Sequence, residues 1–128
     1  MNRLQEAILK YRQLEDDDSR AEMYRELYQA EFFLPVLDNS ESQTRFYILK
    51  NRAEERYLLA FSSLDKIEAY LGHSSLCASL RFETICRLLK NDGDLSGILL
   101  DPNEGNMVFE KDLFEVLEEI MLSESPLS

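Results

Sequence analysis

"NDGDLSGILLDPNE", residues 91–104, decides how the chain is read. Counted from Asp92, oxygen-bearing side chains fall at positions one, three and five of a calcium loop (Asp92, Asp94, Ser96), with Gly97 at six and Leu99 at eight. The twelfth position, where an EF-hand needs a bidentate glutamate, holds Asn103, and Glu104 comes one residue late. Pro102 stands where the exit helix should be under way, and a helix interior rejects proline. "GILLD" (97–101) is an apolar run suited to a buried strand. The stretch is therefore a strand with a hard stop. Proline ends the pairing, and Asn and Gly accept the left-handed backbone of a sharp turn. No metal and no cofactor is expected.

The strand reading organises its neighbours. Upstream, Phe82, Ile85, Cys86 and Leu89 form one stripe of a helix running from about Ser79 to Lys90. Before it, "SSLDKIEAYLG" (62–72) reads as a helix with Leu64, Ile67 and Leu71 inward. Ser62 stands three residues before Asp65 as an imperfect capping box, and Gly72 is placed to end the helix. "TRFYILK" and "RYLLAFS" flank the polar "NRAEE", an antiparallel hairpin. "FFLPVLD" (32–38) suits a strand in which Pro35, lacking a donor, calls for a sheet edge or a bulge. Downstream, "MVFE" suits a short strand and 111–122 a last helix, with Leu113, Leu117, Ile120 and Met121 as its apolar face.

At the N-terminus, Leu4, Ala7, Ile8, Tyr11 and Leu14 recur at helical spacing. "EDDDS" interrupts them, and Ser19 can cap a second helix carrying Met23, Tyr24, Leu27 and Tyr28. The sum is one α+β domain over residues 1–128, with a small mixed or antiparallel sheet covered by helices. Residues 1–31 form an αα-hairpin, 32–122 the α+β core and 123–128 a frayed tail.

Fourteen Lys and Arg against twenty-five Asp and Glu give a net charge of −11, which repels nucleic acid and anionic membranes and favours a basic protein partner. A homodimer stays open. The chain has two cysteines, Cys77 and Cys86, and no uninterrupted apolar run of leader or membrane-span length, so a cytoplasmic setting with free thiols is expected. His73, the one histidine, follows a helix-ending glycine, and no Gly-x-Ser-x-Gly or Cys-His pattern provides a nucleophile. Carboxylate pairs abound (Asp16–Asp18, Glu54 with Glu55, Glu118 with Glu119) in polar, solvated runs. Acid–base work needs two carboxyls in different environments, so no catalytic residue is assigned. Ser62 and Asp101 each end an apolar strand. If those strands are parallel neighbours, the two lie side by side and, with Phe61, Pro102 and Asn103, form the candidate contact surface.

Three stretches together resemble the SseB-like N-terminal domain family: "LLDPNEG" (99–105), "YLLAFSSLDKIEAY" (57–70) and "FFLPV" (32–36) after two helices. Ser62 stands where that family usually has Thr, and Asp101 where it usually has Asn. The resemblance implies a bacterial cytosolic α+β domain, linked by name to type III secretion and to enhanced serine sensitivity, with no catalytic residues to transfer. The expected function is a non-enzymatic protein-interaction module, in the form of a secretion-associated chaperone or an immunity-type protein. The alternative is a small-ligand sensor or enzyme using the turn cluster near Ser62 and Asp101.

Overall fold

A computed structural model describes residues 2–40, 43–73, 75–102 and 107–124. Helix α1 (Arg3–Leu14) starts at Asn2, whose side chain accepts from the Gln5 N–H while Gln5 Oε1 accepts from the Asn2 N–H, a reciprocal capping box. It ends where Glu15 turns left-handed at φ 50°. Helix α2 (Asp17–Gln29) is capped by Asp16, whose carboxylate accepts from the Ser19 N–H at 2.8 Å. Ser19 is thus not the cap. It sits buried in the first turn and donates its hydroxyl to the Asp16 carbonyl at 3.1 Å, because the cap position precedes the helix and the acidic run reaches further back.

Among the described residues seven strands follow: β1 (Glu31–Ser40), β2 (Gln43–Phe46), β3 (Ile48–Lys50), β4 (Arg56–Ala60), β5 (Cys77–Arg81), β6 (Leu95–Leu100) and β7 (Met107–Glu110). Three more helices alternate with them: α3 (Leu64–Leu71), α4 (Phe82–Asn91) and α5 (Lys111–Glu124). The strands form sheets β2-β1-β5 and β3-β4-β6-β7, antiparallel except for the β4–β6 pair. Phe33 and Phe61 join the sheets through two backbone hydrogen bonds of 2.9 Å. From that junction β1 pairs with β2 and β4 with β3, so one bent segment, turning at Tyr47, serves both sheets. The fold is α+β with a mixed sheet.

One segment differs from the sequence expectation, and at Pro35 the bulge, of the two alternatives, is what holds. Residues 79–81, expected as the first turn of α4, belong to the strand Cys77–Arg81, which pairs with Glu31–Pro35 and leaves the helix to start at Phe82. Strand β1 is central, not an edge. Pro35 is tolerated because pairing passes from β5 to β2 there, beside a register shift between Val36 and Asp38.

Alternation along β4 and β6 splits the core. Leu58, Ala60, Ile98 and Leu100 face α1, α2, α4 and α5 through Ile8, Leu27, Ile85 and Phe114. Leu59 and Phe61 face the other way, onto Ile67 of α3. In α5 the anchor is Phe114, stacked on Phe82 at 5.0 Å, whereas Ile120 is 42% exposed; the apolar face is turned relative to the one read from sequence. Met121 has a side chain outside those described.

Candidate functional site

The parallel β4–β6 register pairs Ala60 with Leu100, so the residues after each strand come side by side. Asp101 leaves β6 with a left-handed backbone (φ 49°) and donates its N–H to the Ala60 carbonyl at 3.0 Å. Its carboxylate accepts the Ser62 N–H at 2.9 Å and the Ser62 hydroxyl at 2.6 Å. Lys66, on α3, brings its ammonium to 3.9 Å from the same carboxylate. All three residues are buried. Ser62 therefore does not cap α3, as its spacing from Asp65 suggested. Ser63 holds the cap position without a side-chain cap bond, while Gly72 closes the helix at φ 79° as expected.

Helix α1 completes the cluster. Gln5 Nε2 donates to Ser62 Oγ, and Asn2 Nδ2 donates to the Ser62 carbonyl, both at 2.8 Å. These are the two amides of the capping box, so each side chain caps α1 with its oxygen and holds Ser62 with its nitrogen. The hydroxyl of Ser62 has a charged acceptor and an amide donor. Charge-assisted bonds of this kind are the strong ones, and the longer Lys66 contact adds less.

Above the cluster lies an open groove of about 500 Å³, lined by Gln5, Leu9, Arg12, Lys66, Asp101 and Met107, among others. The five sequence candidates divide sharply. Ser62 and Asp101 meet as the parallel-neighbour argument required. Phe61 is fully buried against Tyr70 (5.7 Å between rings) and Ser62 is only 2% exposed, so neither offers surface to a partner. Asp101 reaches the groove, Pro102 is half-buried, and Asn103 lies outside the described residues. Lys66 carried no sequence signal; Asn2 and Gln5 were missed, and their Asn-x-x-Gln spacing signals at most a helix cap, not ligands of a residue some sixty positions away.

The other chemically suggestive residues have local roles. Asp92 follows α4 and accepts from the Asp94 N–H, and the next residue begins β6, so strand fills the middle of the would-be calcium loop. Among the described residues no group of three His, Cys, Asp or Glu is placed to hold a metal. His73 is exposed beyond Gly72. Asp16 is a cap, its carboxyl held low chiefly by the Ser19 hydrogen bonds. Asp17 pairs with Arg20, and Glu118 with Lys90. Both cysteines are free thiols; burial raises Cys77 and pushes buried Cys86 up to about 12, against thiolate reactivity.

A mixed sheet with helices on both faces, pinned where its parallel strands end by a buried Ser–Asp–Lys cluster, defines a small α+β domain built around one internal polar node. The chain belongs to the SseB protein N-terminal domain family, whose model matches residues 4–115. No curated protein matches the chain significantly, and no solved structure does. Among the described residues no helix is long and apolar enough to cross a membrane.

Proposed function

We propose that the chain is a non-enzymatic protein-interaction module that holds a basic protein partner, in the setting of a secretion-associated chaperone or an immunity-type protein. One observation carries this reading. At the strand ends, where open sheets gather ligand groups, the polar side chains are committed to one another: the Ser62 hydroxyl donates to Asp101 and accepts from Gln5. What remains is an open surface groove of mixed polar and apolar character, a shape suited to contact with another surface. The net charge of −11 supports the basic character of the partner, by steering its approach.

The test is to purify proteins encoded beside this one and mix each with it, following complex formation by gel filtration and calorimetry. A stable complex with a basic protein, weakening as salt rises, is expected. Failure of every neighbour to bind, together with thermal stabilisation by a small molecule, would refute the proposal. That outcome would favour a small-ligand sensor or enzyme, which the groove's volume, within the ordinary range of small-molecule sites, keeps as the second reading.

A further inference from the structure

We infer that the solvent-facing stripe of α5 docks a basic amphipathic helix of a protein partner; the inference rests on the interaction-module function and gives it a second surface, apart from the groove. Helix α5 buries Phe114 and Leu117 against the core and leaves Asp112, Glu115, Val116, Glu119 and Ile120 exposed. At 3.6 residues per turn these five fall on one face. Along it run two parallel lines. Val116 and Ile120, 50% and 42% exposed, continue the apolar edge begun by half-buried Leu113. Asp112, Glu115 and Glu119 form an acidic line beside them.

The acidic line is not what a merely solvated helix face favours. Like charges three and four residues apart repel, by about 0.2–0.5 kcal/mol per pair, and Asp112–Glu115 and Glu115–Glu119 are both such pairs. The helix has no cation in its last turn, where one would oppose the macrodipole's negative end. Lys90 pairs with Glu118, off the stripe and facing α4, at 2.7 Å, and the same ammonium feels Glu115 more weakly, so the acidic line is only partly compensated. A helix presenting leucine-like residues beside lysines complements both lines at once, covering Val116 and Ile120 and relieving the repulsion. A second copy of this chain does not, because stripe against stripe would set acid against acid.

The probe is a synthetic amphipathic peptide of leucine and lysine, about 18 residues or five turns long, with a glutamate-for-lysine version as control. Binding is followed by fluorescence anisotropy. Wild-type protein should bind the lysine peptide saturably and ignore the glutamate one. Glu115→Lys with Glu119→Lys, and separately Val116→Ser with Ile120→Ser, should each weaken binding about tenfold or more. Asp18→Lys with Glu83→Lys makes the same change in net charge at exposed sites on α2 and α4, and should stay within about twofold. Circular dichroism and urea midpoints confirm that each variant is folded.

Equal losses in the two charge-reversal pairs would overturn the inference, since the peptide would then sense only net charge. So would no saturable binding, or no effect from the two serine substitutions. A natural partner that binds Glu115→Lys/Glu119→Lys undiminished would sink the α5 surface and leave the interaction module standing. Absence of any protein partner would remove the module itself.

Discussion

Replacing Asp101 by Asn tests the buried node directly. By turn preference alone the exchange is near neutral, because both residues tolerate the left-handed backbone found there at φ 49°. The hydrogen bonds reverse that expectation. Asp101 accepts both the N–H and the hydroxyl of Ser62, at 2.9 and 2.6 Å, through different oxygens. An amide has one acceptor oxygen. If it stays on the Ser62 N–H, the amide nitrogen faces a hydroxyl that already accepts from Gln5, and the hydroxyl proton loses its acceptor. If the amide flips, its nitrogen opposes the Ser62 N–H. Either way one buried donor is stranded, at about 1–3 kcal/mol. Lys66 also loses its carboxylate, but 3.9 Å is long for an ion pair, so that loss adds little. A net cost of about 2 kcal/mol follows, or a melting-temperature drop of about 7 °C for a domain of this size. Urea denaturation followed by circular dichroism measures it. In a Ser62→Ala background the same exchange should cost less, by about 1 kcal/mol, since the donors it strands belong mainly to the hydroxyl. A cost under about 0.5 kcal/mol, or strict additivity of the two changes, would refute the reasoning.

Gly97→Ala should destabilise by about 1–3 kcal/mol or more, because a Cβ there would run into the Phe109 carbonyl of the paired strand β7, which backbone cannot yield cheaply; a urea midpoint equal to wild type would contradict it. Tyr57, buried with its hydroxyl donating to Glu110 at 3.0 Å, has its phenol pushed up to about 12, first by burial and then by Glu110. A folded pKa above the unfolded value near 10 favours the native state below about pH 10, and that contribution is lost as pH rises toward 12. The difference in tyrosinate absorbance between folded wild type and folded Tyr57→Phe isolates this phenol, which should still be largely un-ionised near pH 11; a difference titrating at about pH 10 would rule it out. Cys86 should resist a thiol reagent until urea unfolds the chain, while half-buried Cys77 reacts slowly; native reaction of both at free-thiol rates would exclude the buried placement.

Most of the fold was legible because each element carried its own period and punctuation. The strand at 95–100 announced itself by the apolar Ile98–Leu100 run ending in Asp-Pro, and α3 by Gly72 at its close. What failed was decided by partners far away in sequence. Residues 77–81 carry too weak an alternation to separate from the amphipathic helix that follows, and only pairing with 31–35 makes them a strand. The face of α5 was misjudged for a similar reason. Its apolar residues wrap more than half the helix, so periodicity left the choice between Phe114 and Ile120 to be made by Phe82, on another helix.

The node shows a deeper limit of local reading. Sequence logic set Ser62 beside Asp101 on the condition that their strands run parallel, which they do, but read Ser62 as a cap for α3 and the pair as contact surface. The structure instead spends both on each other and then ties them to the first residues of α1. Asn2 and Gln5 look like an ordinary helix start, and they are one, since their oxygens close the capping box. Their nitrogens, however, are the donors that satisfy Ser62. Cap formation orients the nitrogens, and Ser62 in turn fixes the amides that form the cap, so the two stabilise each other. Loss of either amide should therefore loosen the start of α1 and the end of β4 together, and the groove between α1 and α3 with them. That coupling makes Ser62 and Asp101 the support beneath the groove, holding in place the α1 and α3 residues that line it.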